Sequence, residues 1–153
     1  MTKRFRDLGE LKSEDYLQRF EIYKLGHSII DAEHKELLGA MELVCKLVVR
    51  QDVPALIEAM NQLETTMSAH FRHEEKLMAE AKYPFADWHK TIHSAIEKDY
   101  KKTMTTYLAE PRRFSAEFAF AAAMESYIVK HIDEQDRQFV DFLETQPTMM
   151  GSL

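Results

Sequence analysis

The sequence predicts an all-α protein: an up-down-up-down four-helix bundle with an N-terminal arm. Two observations predict it. Apolar residues recur at spacings of three and four along most of the 153 residues, the pattern of helices that bury one stripe. Only four Gly and four Pro occur, too few for the many turns of a β-sandwich or barrel. The length suits one domain with a core of useful size.

Residues 1–26 mix charge and aromatics without sustained periodicity and read as an arm or short helix ending near Gly26. The bundle is assigned to 27–146. In its first helix Ile30, His34, Leu37, Met41, Val44 and Val48 form one stripe. Ser28, with Asp31 three residues on, resembles a capping box with Asp in place of Glu. A break follows at Gln51-Asp52-Val53-Pro54, where Asp52 can cap and Pro54 fits a first helical turn. The second helix carries Leu56, Met60, Leu63, Met67, His70, Glu74, Leu77 and Ala81 and ends at Tyr83-Pro84. The third runs from about Phe85 to Ala109, with His89, His93, Ile96, Tyr100, Thr103 and Tyr107 in line. Glu110-Pro111 is the next punctuation, because a residue before Pro is pushed out of helical geometry. The fourth helix carries Phe114, Phe118, Ala121, Met124, Ile128, His131 and Phe142 and ends by Pro147. Residues 147–153 read as a tail. Short connections make successive helices antiparallel, and no internal repeat is visible.

A net charge of −6 argues against a nucleic-acid partner, which needs a basic face. No apolar run approaches the roughly 18 residues of a membrane span, and the N-terminus lacks a signal-peptide core. The single Cys45 excludes an internal disulfide and suits a reducing cytoplasm, so a cytoplasmic location is expected.

Polar residues interrupt the apolar stripe of every helix: His34, then His70 and Glu74, then His89 and His93, then His131. A buried polar group costs roughly several kcal/mol unless something satisfies it. One such histidine is more often a hydrogen-bonded core residue than a ligand. Five of them with few acceptors nearby call for a shared electrophile, and bundle cores are places where metal sites are built. Residues four apart lie about 40° apart and one turn along a helix. His70 and Glu74 therefore point together, as do His89 and His93. Five imidazoles with carboxylates exceed one tetrahedral zinc shell. Carboxylates can bridge two metals and mixed ligation suits iron, which favours a dinuclear iron centre.

These pieces resemble a bacterial hemerythrin. They are Ile30-Asp31-Ala32-Glu33-His34-Lys35-Glu36-Leu37, His70-Phe71-Arg72-His73-Glu74-Glu75, Tyr83-Pro84 with His89 and His93, and His131-Ile132 with Asp136. They come in that family's order and spacing, over roughly 20–145. The resemblance implies that His34, His70, His89, His93 and His131 are terminal iron ligands. It implies that Glu74 and Asp136 bridge two iron ions, cycling between Fe2+ and Fe3+, together with an oxo or hydroxo species. It further implies an open position on one iron for dioxygen.

The geometry of an ideal helix disagrees at one residue. Asp136 lies five residues after His131, about 140° around the axis, and Glu134 would sit nearer the histidine's face. The resemblance prefers Asp136, and that assignment is adopted. Leu37, Phe71, Ile128 and Ile132, each within four residues of a ligand, are candidates for an apolar oxygen pocket or for plain core. His27 is open between a solvent or capping role and one behind the ligands or as an extra ligand. His73 is better read as exposed or behind the ligands than as a ligand. Trp88 stands beside His89, whereas the family often has a Trp before its first helix, where Phe20 and Tyr23 are the nearest aromatics.

The leading expectation is reversible dioxygen binding for carriage, storage or sensing, without turnover. Histidine-rich ligation with few carboxylates favours it. The alternatives are a di-iron oxidase, peroxidase or nitric-oxide-handling enzyme on the same scaffold, or a signalling module that passes on redox or oxygen state. Nitric oxide and peroxide are alternative small ligands. The sequence does not identify a protein partner.

Overall fold

The computed structural model describes residues 21, 23–50, 52–109 and 125–146. Phe20, Phe114, Phe118, Ala121, Met124, the Glu110-Pro111 break, most of the 1–26 arm and the 147–153 tail lie outside them. The described chain is helical, without a strand among the described residues. Helix α1 spans Ser28–Arg50, α2 Val53–Glu80 and α3 Ala86–Ala109. The described part of the fourth helix comprises two π-helical turns, Glu125–Val129 and Ile132–Asp136, followed by α4, Arg137–Thr145. Each helix packs on the next in sequence, as a four-helix bundle with short connections requires.

The helix ends explain the register. Asp52 caps α2, accepting from the Ala55 amide at 3.2 Å, with Pro54 in the first turn, as the sequence indicates. At α1 the cap is His27, one residue earlier than the Ser28 expected. Its ring Nδ1 accepts from the Ile30 amide at 3.2 Å, and its carbonyl accepts from the Asp31 amide at 2.8 Å. Asp31 turns back to accept from the Leu25 and Gly26 amides at 2.7 and 3.0 Å. Gly26, at φ +96°, takes the left-handed bend that lets the chain reach this carboxylate. The α2 terminus closes with Tyr83 N donating to Met78 O at 2.9 Å and Lys82 N to Ala79 O at 3.2 Å. Lys82 occupies the left-handed position, at φ 53°, where Gly is usual.

Two apolar clusters fill the interior. The larger includes Leu37, Leu38, Met41, Leu63, Met67, Phe71, Tyr100, Ile128 and Ile132. The smaller joins Ile30, Met78, Tyr83, Phe139 and Val140 at the end where α2 turns into α3. Between them lies a layer of polar side chains: His34 follows Ile30 by one turn of α1, and Glu74 precedes Met78 by one turn of α2. Within the larger cluster the Tyr100 hydroxyl donates to Met60 O at 2.7 Å, so its burial leaves no orphaned polar atom.

Candidate metal centre

The polar layer brings all seven sequence-expected ligands together. His34, His70, Glu74, His89, His93, His131 and Asp136 are each buried to 3% exposure or less, and their donor atoms fall into two groups. One consists of His34, His70 and Asp136; the other of Glu74, His89, His93, His131 and Asp136. Asp136 belongs to both. Its Oδ2 lies 2.9 Å from His34 Nε2 and 3.8 Å from His70 Nε2, while its Oδ1 lies 3.0 Å from His89 Nε2 and 2.9 Å from His131 Nε2. Glu74 stands between the groups as well. Its Oε2 is 3.3 Å from His70 Nε2 and 3.6 Å from His93 Nε2, and its Oε1 is 3.6 Å from His89 Nε2.

Asp136 reaches this position because the fourth helix is not an ideal α-helix. In the turn Ile132–Asp136 hydrogen bonds span five residues rather than four, which widens the turn. Residues five apart then stack, and Asp136 comes under His131. Glu134, which an α-helix would have favoured, is exposed, and its carboxylate accepts from the Gln135 side-chain amide at 3.3 Å. It lies outside both donor groups. His27 is engaged as the α1 cap and also lies outside them. His73 is partly exposed, and its Nδ1 meets the two oxygens of Glu33 at 2.9 and 2.8 Å.

The donor set fits a cation. Both oxygens of Glu74 and of Asp136, and His89 Nε2, are buried without a hydrogen-bond partner among the described residues, although nitrogens lie close by. Within each group the donor atoms lie within 4.8 Å of one another, close enough to share one ion. The tautomers make the same case. His93 Nδ1 lies 3.0 Å from Glu75 Oε1, and a carboxylate only accepts, so that ring nitrogen carries a proton. His131 Nδ1 likewise donates to Gln135 Oε1 at 3.0 Å. In the neutral rings both Nε2 atoms then present lone pairs to each other across 2.9 Å. Only a proton or a metal ion between them removes that repulsion.

Without metal, the buried carboxylates favour protonated imidazoles at two positions. Burial disfavours a charged His70, yet Asp136, Glu33 and Glu74 outweigh it and hold His70 well above the ordinary histidine range. Burial opposes a charged His131 too, and Asp136 overrides it, raising the pKa. For Asp136 burial pushes upward, but His131, His34 and His70 keep it well below the usual carboxylate range. His93 goes the other way, pushed down mainly by burial.

The apolar candidates Leu37, Phe71, Ile128 and Ile132 are buried in one cluster. The Phe71 ring stacks on His93, centroids 3.9 Å apart and planes within 6°, and meets His131 edge-on at 5.6 Å. Sequence reasoning missed the residues behind the ligands, namely Glu33, Glu75 and Gln135. Gln135 was within reach, since it lies one helical turn after His131. Glu75 meets His93 across two helices, which periodicity within one helix cannot show.

Residues 25–143 match the family model described as the hemerythrin HHE cation binding domain. The chain belongs to the hemerythrin family. Among curated relatives of this hemerythrin, the bacteriohemerythrin of Aquifex aeolicus (strain VF5) is 24% identical over 90 residues, 59% of this chain and 69% of the relative. That of Stenotrophomonas maltophilia (strain R551-3) is 28% identical over 74 residues, 48% of each chain. That of Pseudomonas paraeruginosa (strain DSM 24068 / PA7) is 24% identical over 116 residues, 76% of this chain and 74% of the relative. No solved structure matches significantly. No helix among the described residues is long and apolar enough to cross a membrane.

Proposed function

We propose that this hemerythrin holds two iron ions and binds dioxygen reversibly. The observation that carries the reading is the pair of donor groups joined by Asp136. In this reading His34 and His70 serve one iron, His89, His93 and His131 the other, and Glu74 and Asp136 span both. Two bound irons would supply the electrons that make dioxygen binding possible and reversible. The unequal histidine count leaves the His34–His70 side the less filled, and so the side open to a small ligand.

The chain's own residues determine how that ligand is treated. Leu37, Phe71, Ile128 and Ile132 form a dry wall, which keeps bulk water and its protons from the ligand. Among the described residues, two carboxylates enter the donor groups, against five imidazoles. That balance supports binding over oxidative turnover. Nitric oxide would fit the same opening.

Iron analysis with absorption spectroscopy tests the reading. Two irons per chain and a charge-transfer band that rises when air is admitted to reduced protein, then falls on its removal, are expected. Irreversible bleaching with consumption of peroxide would instead indicate an enzyme. Zinc, or one metal per chain, would overturn the di-iron assignment.

A further inference from the structure

The five histidines are not backed alike. His34 Nδ1 and His89 Nδ1 are buried without a hydrogen-bond partner among the described residues. His131 has a neutral amide, Gln135, on its outer nitrogen. His70 Nδ1 lies 3.6 Å from Glu33, too long for a hydrogen bond, and Glu33 is turned to His73 instead. Among the described residues, His93 alone of the five has a carboxylate in hydrogen-bond contact with its outer nitrogen, Glu75 Oε1 at 3.0 Å.

That carboxylate is itself held. Arg72, from the preceding turn of α2, places one guanidinium nitrogen 3.4 Å from Glu75 Oε1 and 2.6 Å from Glu97 Oε1 on α3. Arg72 thus ties Glu75 to the helix that carries His93. Glu75 is only 12% exposed, so solvent screens its contact with the imidazole weakly. The Phe71 ring lies flat on the His93 face. His93 is therefore fixed in plane by stacking and in rotation by Glu75, with Nε2 aimed at Glu74 and His131.

We propose that Glu75, anchored by Arg72, is a positioning residue for the metal centre, locking the His93 tautomer and strengthening its Nε2 as a donor. The inference rests on the di-iron reading above. A carboxylate that shares the Nδ1 proton gives the imidazole partial anionic character, and its other nitrogen then donates more strongly to a cation. The iron on the three-histidine side would carry this extra donation, and the two irons would differ in electron richness as well as in ligand count.

The test uses the full iron-loaded chain with Glu75→Leu and Glu75→Gln. Removing such a partner typically costs about 10–100-fold in metal affinity. Chelator should accordingly strip iron from Glu75→Leu about 10–100-fold more readily than from the parent. Glu75→Gln keeps an acceptor oxygen, so it should retain iron nearly as well. Its reduction potential should nevertheless rise, because the lost negative charge no longer favours the ferric state. A merely structural role for Glu75 would not move that potential. Parent-like iron retention in Glu75→Leu, or an unshifted potential in Glu75→Gln, would overturn the proposal. If Glu75→Leu does not fold, the Glu75→Gln potential decides.

A second readout needs no metal. In histidine-15N-labelled apoprotein, His93 should carry its proton on Nδ1, and Glu75→Gln should keep it there. Finding it on Nε2 in the parent would overturn the clamp. A parent chain that takes up no iron yet shows the Nδ1 proton would sink the di-iron reading, and the donor-strengthening with it, while leaving the clamp standing.

Discussion

Asp136 presents one oxygen to His34 and the other to His89 and His131, so its loss takes a donor from both groups at once. Asp136→Ala is expected to drop iron content well below that of the parent. Glu134→Ala, whose side chain is exposed, is expected to keep it unchanged. Iron analysis of the two purified variants, with helicity checked by circular dichroism, reads the contrast directly. Parent-like iron in Asp136→Ala would remove that residue from the proposed ligand set. Six residues of the two donor groups, His34, His70, Glu74, His89, His93 and His131, stood out in the sequence because polar side chains on an apolar stripe need a reason to be buried, whereas Asp136 came only from the family resemblance. Their outer partners were not. Glu33 and Glu75 sit beside His34 and Glu74 in the sequence, where a carboxylate looks like ordinary solvated surface.

At the level of elements, the three long helices follow from spacing, and the breaks at Asp52-Val53-Pro54 and Tyr83-Pro84 fall where backbone chemistry puts them. What spacing could not give is the shape of the fourth helix. An apolar period near 3.6 assumes an α-helix throughout, so five residues between His131 and Asp136 looked like a mismatch. The π-helical turn Ile132–Asp136 dissolves it by changing the period locally. The start of α1 was displaced for a comparable reason: a histidine is not the side chain expected at a cap, yet the His27 ring nitrogen does the work assigned to Ser28. A plainer weakness sits in the middle of α1. Gly39 is exposed, and a Cβ built there meets nothing within 4 Å. Glycine within a helix costs about 0.5–1 kcal/mol relative to alanine. Gly39→Ala should therefore stabilise the chain by about that amount, and thermal melts should show Tm raised by about 2 °C. Iron content should not change, and a lowered Tm would contradict the open space read at this position.

For the whole molecule, the metal centre and the fold share one set of buried groups, so stability, pH and iron are linked. In the metal-free chain, His70 and His131 have raised pKa values. Their stabilisation is complete below the unfolded value of 6.5 and is lost as pH climbs through the folded values. Asp136 and Glu74 are lowered; their contribution is present above the ordinary carboxylate values and is lost as pH falls through the folded ones. His93 is lowered by burial, so it contributes above 6.5 and subtracts as the medium acidifies, offsetting part of the gain from the other two. With two raised histidines against one lowered, the apoprotein should be most stable between about pH 4 and 6.5 and should weaken on the alkaline side. Iron reverses that slope. Ligation requires neutral imidazoles, so loading displaces protons that the raised His70 and His131 would otherwise bind. Iron affinity should then rise with pH over the range where the apoprotein weakens. Bound metal adds about 2.7 kcal/mol of stability when free metal stands at a hundred times its Kd. Melts of apo and iron-loaded protein from pH 5 to 9 should therefore diverge as pH rises. An indicator dye should record proton release on anaerobic addition of ferrous iron. Parallel melting curves with no protons released would mean that the buried histidines are already neutral in the empty centre.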